Sequence, residues 1–378
     1  MPVLRDIDVR PDPSEVDKIS PSALNRLLEC PKKLAYGRDG RTKGWQRPTT
    51  RTALGIVAHG LTEAAERTDG SLADRDRAEW LRAIWDDLVA KQVAQLQKAW
   101  PGRQIPPAHS WPGYAVTKVR LTRSLARRAR GQAPTAQKPV GQPVSVTGTQ
   151  PPLPWVERRL EDAGRRLFGT PDRVEEVNGR LRVVDLKSGV GQDDVSDSQL
   201  RQLLVYAWLV KSSLGRLPDD VVVLDTKGQE KVHVVEASAV DAVVTMTAAA
   251  VDRFNDSLQS AAGAEALPAP ETCRWCEFRV ICGDYWAARA SNWPTSKDIA
   301  GVVVGITTPY VELQLLDSQE HQRLVLTGLE QPSMGDVVVA VDVELAGFET
   351  SRTRWNSRLR VLPLGANEPA HRGAMSST

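Results

Sequence analysis

The sequence predicts an α/β chain in two parts, a mixed core with a helical N-terminal portion and a small all-β barrel behind it. Three observations carry that prediction. Apolar residues recur at helical spacing between Ser20 and Arg130. Two runs rich in Val and Leu flank Asn178-Gly179, a pair suited to a two-residue hairpin turn because both positions need φ > 0. From Asp298 onward the texture becomes short β-like runs separated by turn residues.

A chain of 378 residues can hold one large domain and a small one. Its 41% apolar and 25% charged residues read as globular, and a net charge of +2 requires any nucleic-acid affinity to come from local basic patches. Residues 1–18 are polar and mixed in charge, which predicts a flexible arm and no signal peptide. No apolar run approaches the roughly 20 residues of a membrane helix, so a cytoplasmic protein without a membrane partner is expected. Four cysteines in such a chain favour metal binding over disulfides.

The elements follow in order. Ser20 caps a helix with Pro21 at its first position and Leu24, Leu27 and Leu28 on one face; Pro31 interrupts it after Cys30. Lys32 to Arg51 is a basic stretch containing Trp45, and Thr52 to Arg67 reads as a helix on which His59 and Glu63 share a face. Ala73 to Trp100 is helical around Trp80, Ile84, Leu88 and Val89. Val116 to Arg130 is a basic helix, either a solvated face or a phosphate-contacting one. It opens a basic, Pro-rich insertion over residues 116–154 whose later part, Gly131 to Pro154, lacks periodicity and is expected to be a long loop or disordered.

Trp155 to Leu160 is a short strand leading to the hairpin. If Asn178-Gly179 forms the turn, Val177 faces Arg180, and continuing that register sets Asp172 opposite Asp185. Their β-carbons would then lie about 4.5–5.5 Å apart, with Lys187 on the same side. Facing carboxylates repel, and a hard divalent cation such as Mg²⁺ or Mn²⁺ would remove the repulsion. With a lysine beside them to orient water, they make the equipment of metal-dependent phosphodiester hydrolysis; a solvated hairpin with scattered charges is the plainer alternative. A polar loop from Ser188 to Ser198 precedes a helix, Gln199 to Leu209, with Gln202 and Tyr206 one turn apart. Asp220 to Asp225 is a buried strand paired with Lys231 to Val235, and a helix capped by Ser238 runs to about Leu258.

Cys273, Cys276 and Cys282 then form a C-x₂-C-x₅-C pattern, specific for metal but open between zinc and iron–sulfur. Cys30, 243 residues upstream of Cys273, would complete a four-thiolate set. Five runs follow: Ile299–Thr307, Tyr310–Leu316, Gln322–Gly328, Val337–Leu345 and Arg358–Leu362. They suggest an OB-like barrel over residues 297–365, with a disordered tail over 366–378. Arg352, Arg354 and Trp355 suit stacking on single-stranded DNA and contact with its backbone.

Taken together, Gly55-x-x-x-His59, Gly169-x-Pro171-Asp172-Arg173, Asp185-Leu186-Lys187, Gln202-x-x-x-Tyr206 and Cys30-Pro31 with the later cysteines resemble the RecB-like branch of the PD-(D/E)XK nucleases. The likeness is nearest to CRISPR-associated RecB-like exonucleases and the AddB-type nuclease domain, and it covers roughly residues 18–290, placing a nuclease domain at 19–290. The resemblance implies a restriction-endonuclease-like core. In it His59, Asp172 and Asp185 hold Mg²⁺ or Mn²⁺ and Lys187 helps to activate water. Gln202 and Tyr206 line the site, Arg173 contacts DNA, and Glu157 has a supporting role. Cys30, Cys273, Cys276 and Cys282 would hold a [4Fe–4S] cluster. It implies a metal-dependent deoxyribonuclease, an exonuclease first, acting on single-stranded or end-bearing DNA in processing, CRISPR adaptation or phage defence. A helicase or other defence or repair proteins are the expected partners. The alternatives are a non-catalytic DNA-binding or scaffold subunit and a zinc-stabilised nucleic-acid-binding protein.

Overall fold

The computed structural model describes residues 7–67, 74–131, 152–187, 195–289, 293, 298–318, 320–328, 330–347 and 350–363. Most of the 131–154 segment, much of the 188–198 loop and the tail lie outside these.

Helix α1 (Pro21–Glu29) starts where its cap predicts, with Ser20 Oγ accepting from the Ala23 N–H. Pro31 does not end the helical region. A proline fits the first turn of a helix, so α2 (Pro31–Arg38) begins there, with Cys30 at the junction. Residues 7–18, expected to be a flexible arm, are packed on the protein, Ile7 and Val9 against the later cysteine region and Val16 in the main core, where its N–H donates to Asn255 Oδ1 at 2.8 Å. Ile7 and Val16 are buried, and the Val9 N–H donates to Ile281 O. Helices α3 (Thr50–Arg67), α4 (Asp74–Ala99) and α5 (Tyr114–Gly131) form a separate unit around Leu61, Leu81, Trp85 and Leu121.

The expected strand at 155–160 is two strands. β1 (Trp155–Val156) ends at Glu157, whose φ of 46° turns the chain away, and β2 (Leu160–Asp162) pairs with β3 (Leu167–Gly169) in a separate ribbon. β4 (Arg173–Val177) and β5 (Arg180–Lys187) make the expected hairpin: Asn178 and Gly179 have φ of 52° and 78°, and the register runs from Val177↔Arg180 to Arg173↔Val184. β5 pairs in parallel with β6 (Asp220–Asp225), which pairs antiparallel with β7 (Glu230–Val234), giving the order β1-β4-β5-β6-β7. The crossover is α6 (Asp197–Leu214), opened by a Ser196/Gln199 capping box and closed by left-handed Gly215. α7 (Ala237–Leu258) packs beside it, with Glu236 rather than Ser238 at its N-cap. One sheet face and α1, α6 and α7 share the main core; Val184, Leu186, Val222 and Leu224 are buried on the opposite face.

The cysteine region contains α8 (Pro270–Cys273), a 3₁₀ turn at Arg279–Ile281 and α9 (Gly283–Ala288). Among its described residues the C-terminal region has seven strands, not five: β8 (Ile299–Thr307), β9 (Tyr310–Leu315), β10 (His321–Val325), β11 (Val337–Val341), β12 (Glu344–Gly347), β13 (Thr350–Arg352) and β14 (Arg358–Leu362). The run expected at 337–345 breaks at Asp342, where φ is 60°. The sheet order is β12-β13-β10-β9-β8-β11-β14, so its hydrogen-bonded circuit is open, where a closed barrel was expected. This sheet seats on both earlier units. Trp355 meets Trp100 edge-on at 5.8 Å, and Arg103 reaches Glu330 at 2.6 Å. Buried Arg279 spans Asp298 at 3.2 Å and Asp342 at 2.6 Å.

Candidate active site

Five elements converge at one end of the central strands of the sheet. His59 comes from α3, Glu157 from the end of β1 and Asp172 from the approach to β4. Asp185 and Lys187 come from β5, and Gln202 and Tyr206 from α6. Gly169 permits the close approach of β3 to α6, since a β-carbon there would lie 2.7 Å from the Tyr206 ring.

Asp172 is the hub. Its Oδ1 is 3.2 Å from His59 Nδ1, its Oδ2 accepts from the Leu186 N–H at 2.5 Å, and its carbonyl accepts from the Glu157 N–H at 3.1 Å. His59, Glu157 and Asp172 place ligand atoms within 4.8 Å of one another, beside a cavity of about 310 Å³ also lined by Glu63, Arg173 and Leu186. Asp185 lies outside that close trio and is only 3% exposed. Its Oδ1 accepts from Gln202 Nε2 at 3.1 Å, while its Oδ2 sits 2.7 Å from Lys187 Nζ without an aligned hydrogen bond. Gln202 also donates to Tyr206 Oη at 3.3 Å and accepts from Lys187 at 3.5 Å.

The electrostatics match an anionic site awaiting a cation. Burial pushes Asp185 above the usual carboxylate range; Lys187 opposes this and Asp172 adds to it. Burial and then the Asp172 charge push Glu157 up to about 7. The hydrogen bond with Asp172 raises His59 against the opposing effect of burial, and burial raises Tyr206. Three carboxylates and an imidazole are the hard and borderline donors a divalent metal takes, and the buried Asp185 Oδ2 lacks an aligned hydrogen bond. The residues fit Mg²⁺ or Mn²⁺.

Residues 18–283 match the PD-(D/E)XK nuclease superfamily. The chain belongs to that superfamily. Its members are phosphodiester-hydrolysing nucleases that use divalent metals. No curated protein sequence matches the chain. A solved structure titled "Crystal structure of SSO0001" is similar at 17% identity over 34% of this chain and 60% of that one, with a TM-score of 0.23. The likeness spans less than two thirds of that protein and carries no argument about fold or activity.

In this PD-(D/E)XK chain His59, Asp172, Asp185, Lys187, Gln202 and Tyr206 lie within one connected set of contacts. Glu157 is the residue that sequence reasoning undervalued. It stands in a metal-capable trio, yet its position depends on a strand break and a positive φ that no local pattern announces.

The second constellation of this nuclease-family chain is the thiol set. Cys30, Cys273, Cys276 and Cys282 are free and line one cavity of about 360 Å³ with Lys32, Lys33, Tyr36 and Arg279. The Leu267 N–H donates to Cys30 Sγ at 3.5 Å. Burial raises all three C-terminal thiols, Cys276 to about 12, so the pocket disfavours thiolates until a cation offsets their charge. The four sulfurs share the lining of this cavity with an N–H donor to Cys30 and two ammonium groups, the donor types of a thiolate-bound metal centre; among the described residues only Cys282 belongs to a close group of metal-capable atoms, with Asp8 and Asp284.

The residues expected to touch nucleic acid are dispersed. Arg173 is held by Glu66 at 2.8 Å and Glu175 at 3.1 Å. Arg352 is exposed, Arg354 lies 3.5 Å from Glu344, and the Trp355 ring packs with the α3–α5 core.

Proposed function

We propose that the chain is a divalent-metal-dependent deoxyribonuclease, an exonuclease on single-stranded or end-bearing DNA, with a [4Fe–4S] cluster and a role in DNA processing, CRISPR adaptation or phage defence. The observation that carries this reading is the joining of His59, Glu157 and Asp172 beside the Asp185–Lys187 pair. When bound, Mg²⁺ or Mn²⁺ would supply Lewis-acid polarisation of the phosphate and a more acidic water. His59, Glu157, Asp172 and Asp185 would hold it. Gln202 fixes the Asp185 carboxylate, and the Lys187 ammonium, 2.7 Å from Asp185, is positioned to hold a water or the developing phosphate charge. Arg173 and Arg352 are offered to DNA in the same reading.

Cys30, Cys273, Cys276 and Cys282 would ligate the cluster, tying the chain across 243 residues. For the C-terminal sheet we retain an OB-like reading. β11 returns to β8, while β13 lies parallel to β10 and β14 antiparallel to β11, so β13, the turn after it and β14 connect the β10 and β11 sides of the sheet where an OB fold has its final strand. Among the described residues no helix is long and apolar enough to cross a membrane, and we place the protein in the cytoplasm with a helicase or other defence or repair proteins as partners.

Labelled single-stranded, linear duplex and closed circular DNA, each incubated with Mn²⁺, test the reading. Loss of end-bearing forms with circular DNA intact supports an exonuclease. No cleavage of any form would favour the alternative, a non-catalytic DNA-binding or helicase-associated scaffold subunit.

A further inference from the structure

Between Glu157 and Asp172 the chain makes the small β2–β3 ribbon, whose surface carries a second kind of chemistry. Arg159 is 61% exposed with its guanidinium 4.4 Å from the Phe168 ring centroid. Arg165, exposed at the turn, lies 5.4 Å from the Trp208 ring, and Lys211 approaches the same ring at 4.9 Å. Among the described residues no carboxylate is within ion-pair distance of Arg165. The nearest acid to Arg159, Glu161 at 3.9 Å, is already taken by Lys18 at 2.5 Å. Lys211 has only a 3.9 Å approach from Asp241.

The ribbon is fixed in place. Asp162 accepts from Trp208 Nε1 at 2.9 Å, Ser212 Oγ at 3.0 Å and the Arg165 N–H at 3.0 Å, binding the ribbon to the helix that presents Gln202 and Tyr206. Both ends of the ribbon come from the site. Glu157 precedes Leu160 by three residues and Asp172 follows Gly169 by three, a reach of at most about 11 Å. Because cations cover a face of each ring, the rings support guanidinium and ammonium groups instead of offering that face to a base. Exposed guanidinium groups, with an ammonium beside them, suit phosphate oxygens.

We infer that Arg159, Arg165 and Lys211 form a phosphate-tracking ledge that leads the DNA backbone into the metal site, gripping it without regard to sequence. This rests on the nuclease reading and names the route its substrate takes.

Fluorescence anisotropy with a labelled single-stranded oligonucleotide in metal-free buffer, over a range of salt, tests it. Arg159→Ala/Arg165→Ala should weaken binding about tenfold and lower the slope of log affinity against log salt by about 1.4, two contacts at about 0.7 each. Arg159→Lys/Arg165→Lys should keep the slope, and Lys91→Ala on the exposed face of α4 should change neither. Thermal melting, Mn²⁺ binding and hydrolysis of a small activated phosphodiester should match wild type in the double alanine variant. Affinity and slope equal to wild type would overturn the ledge even if wild-type protein cleaves DNA. Binding lost in the double variant while no form of the protein cleaves DNA would uphold the ledge and sink the nuclease reading.

Discussion

Gln202 bridges three groups, the Asp185 carboxylate, the Tyr206 hydroxyl and the Lys187 ammonium. A group that orients a metal ligand typically contributes about 10–100-fold to metal affinity or activity. Gln202→Ala should therefore weaken Mn²⁺ binding or turnover by about that factor, measured by calorimetry and steady-state cleavage, without unfolding the protein. Glu157→Gln removes a ligand charge and should weaken Mn²⁺ at least about tenfold. The same residue sets a pH signature. Its folded value is raised from 4.5 to about 7, so its contribution to stability is present below 4.5 and lost as pH rises through about 7. His59, also raised, acts in the same direction. Metal-free protein should melt at lower temperature as pH climbs through that window, and Mn²⁺ should flatten the slope. A metal-free melting temperature that does not change across the window would contradict the site's electrostatics.

Among elements, the β4–β5 hairpin was the most legible because its register depends on local chemistry alone. Asn178 and Gly179 accept the positive φ of the turn, and alternation fixes every pair after it. α1 was readable from its Ser20 cap and Pro21. What escaped depended on distant partners. β13 pairs antiparallel with its neighbour β12 and parallel with β10, and the parallel pairing, which joins residues 350–352 to the rest of the sheet, leaves no short-range turn signal. The end of β1 at Glu157, which completes the metal trio, is likewise a tertiary event. The grouping of the four cysteines was legible, and they do line one cavity, whereas the Lys32, Lys33 and Arg279 that share it were not. Cys282→Ala should cost the protein its visible chromophore and make it sensitive to protease, because site formation closes a very long loop and is coupled to folding. Stoichiometric zinc without iron in anaerobically purified protein would replace the iron–sulfur assignment with a structural zinc site.

At the scale of the molecule, the C-terminal sheet is a brace. It meets the helical unit that carries His59 through Trp355 on Trp100 and through Arg103 on Glu330. It meets the cysteine region through Arg279, itself hydrogen-bonded to Cys273 O at 3.2 Å and Arg274 O at 2.6 Å. Trp355, read from sequence as a base-stacking residue, has its ring engaged in this packing. Trp355→Ala should destabilise the fold by about 1–3 kcal/mol in denaturant unfolding while leaving single-strand affinity near wild type. A loss of affinity with unchanged stability would return Trp355 to the DNA surface.

In the proposed reaction the β5 carboxylate and lysine serve chemistry on phosphate. Cleavage of end-labelled DNA in Mn²⁺ by wild type, Asp185→Ala and Lys187→Ala, alongside binding of the same DNA, tests it most directly. Both variants should bind within a few-fold of wild type and cleave on the order of a hundredfold more slowly or not at all. Near wild-type cleavage by Asp185→Ala would contradict the account.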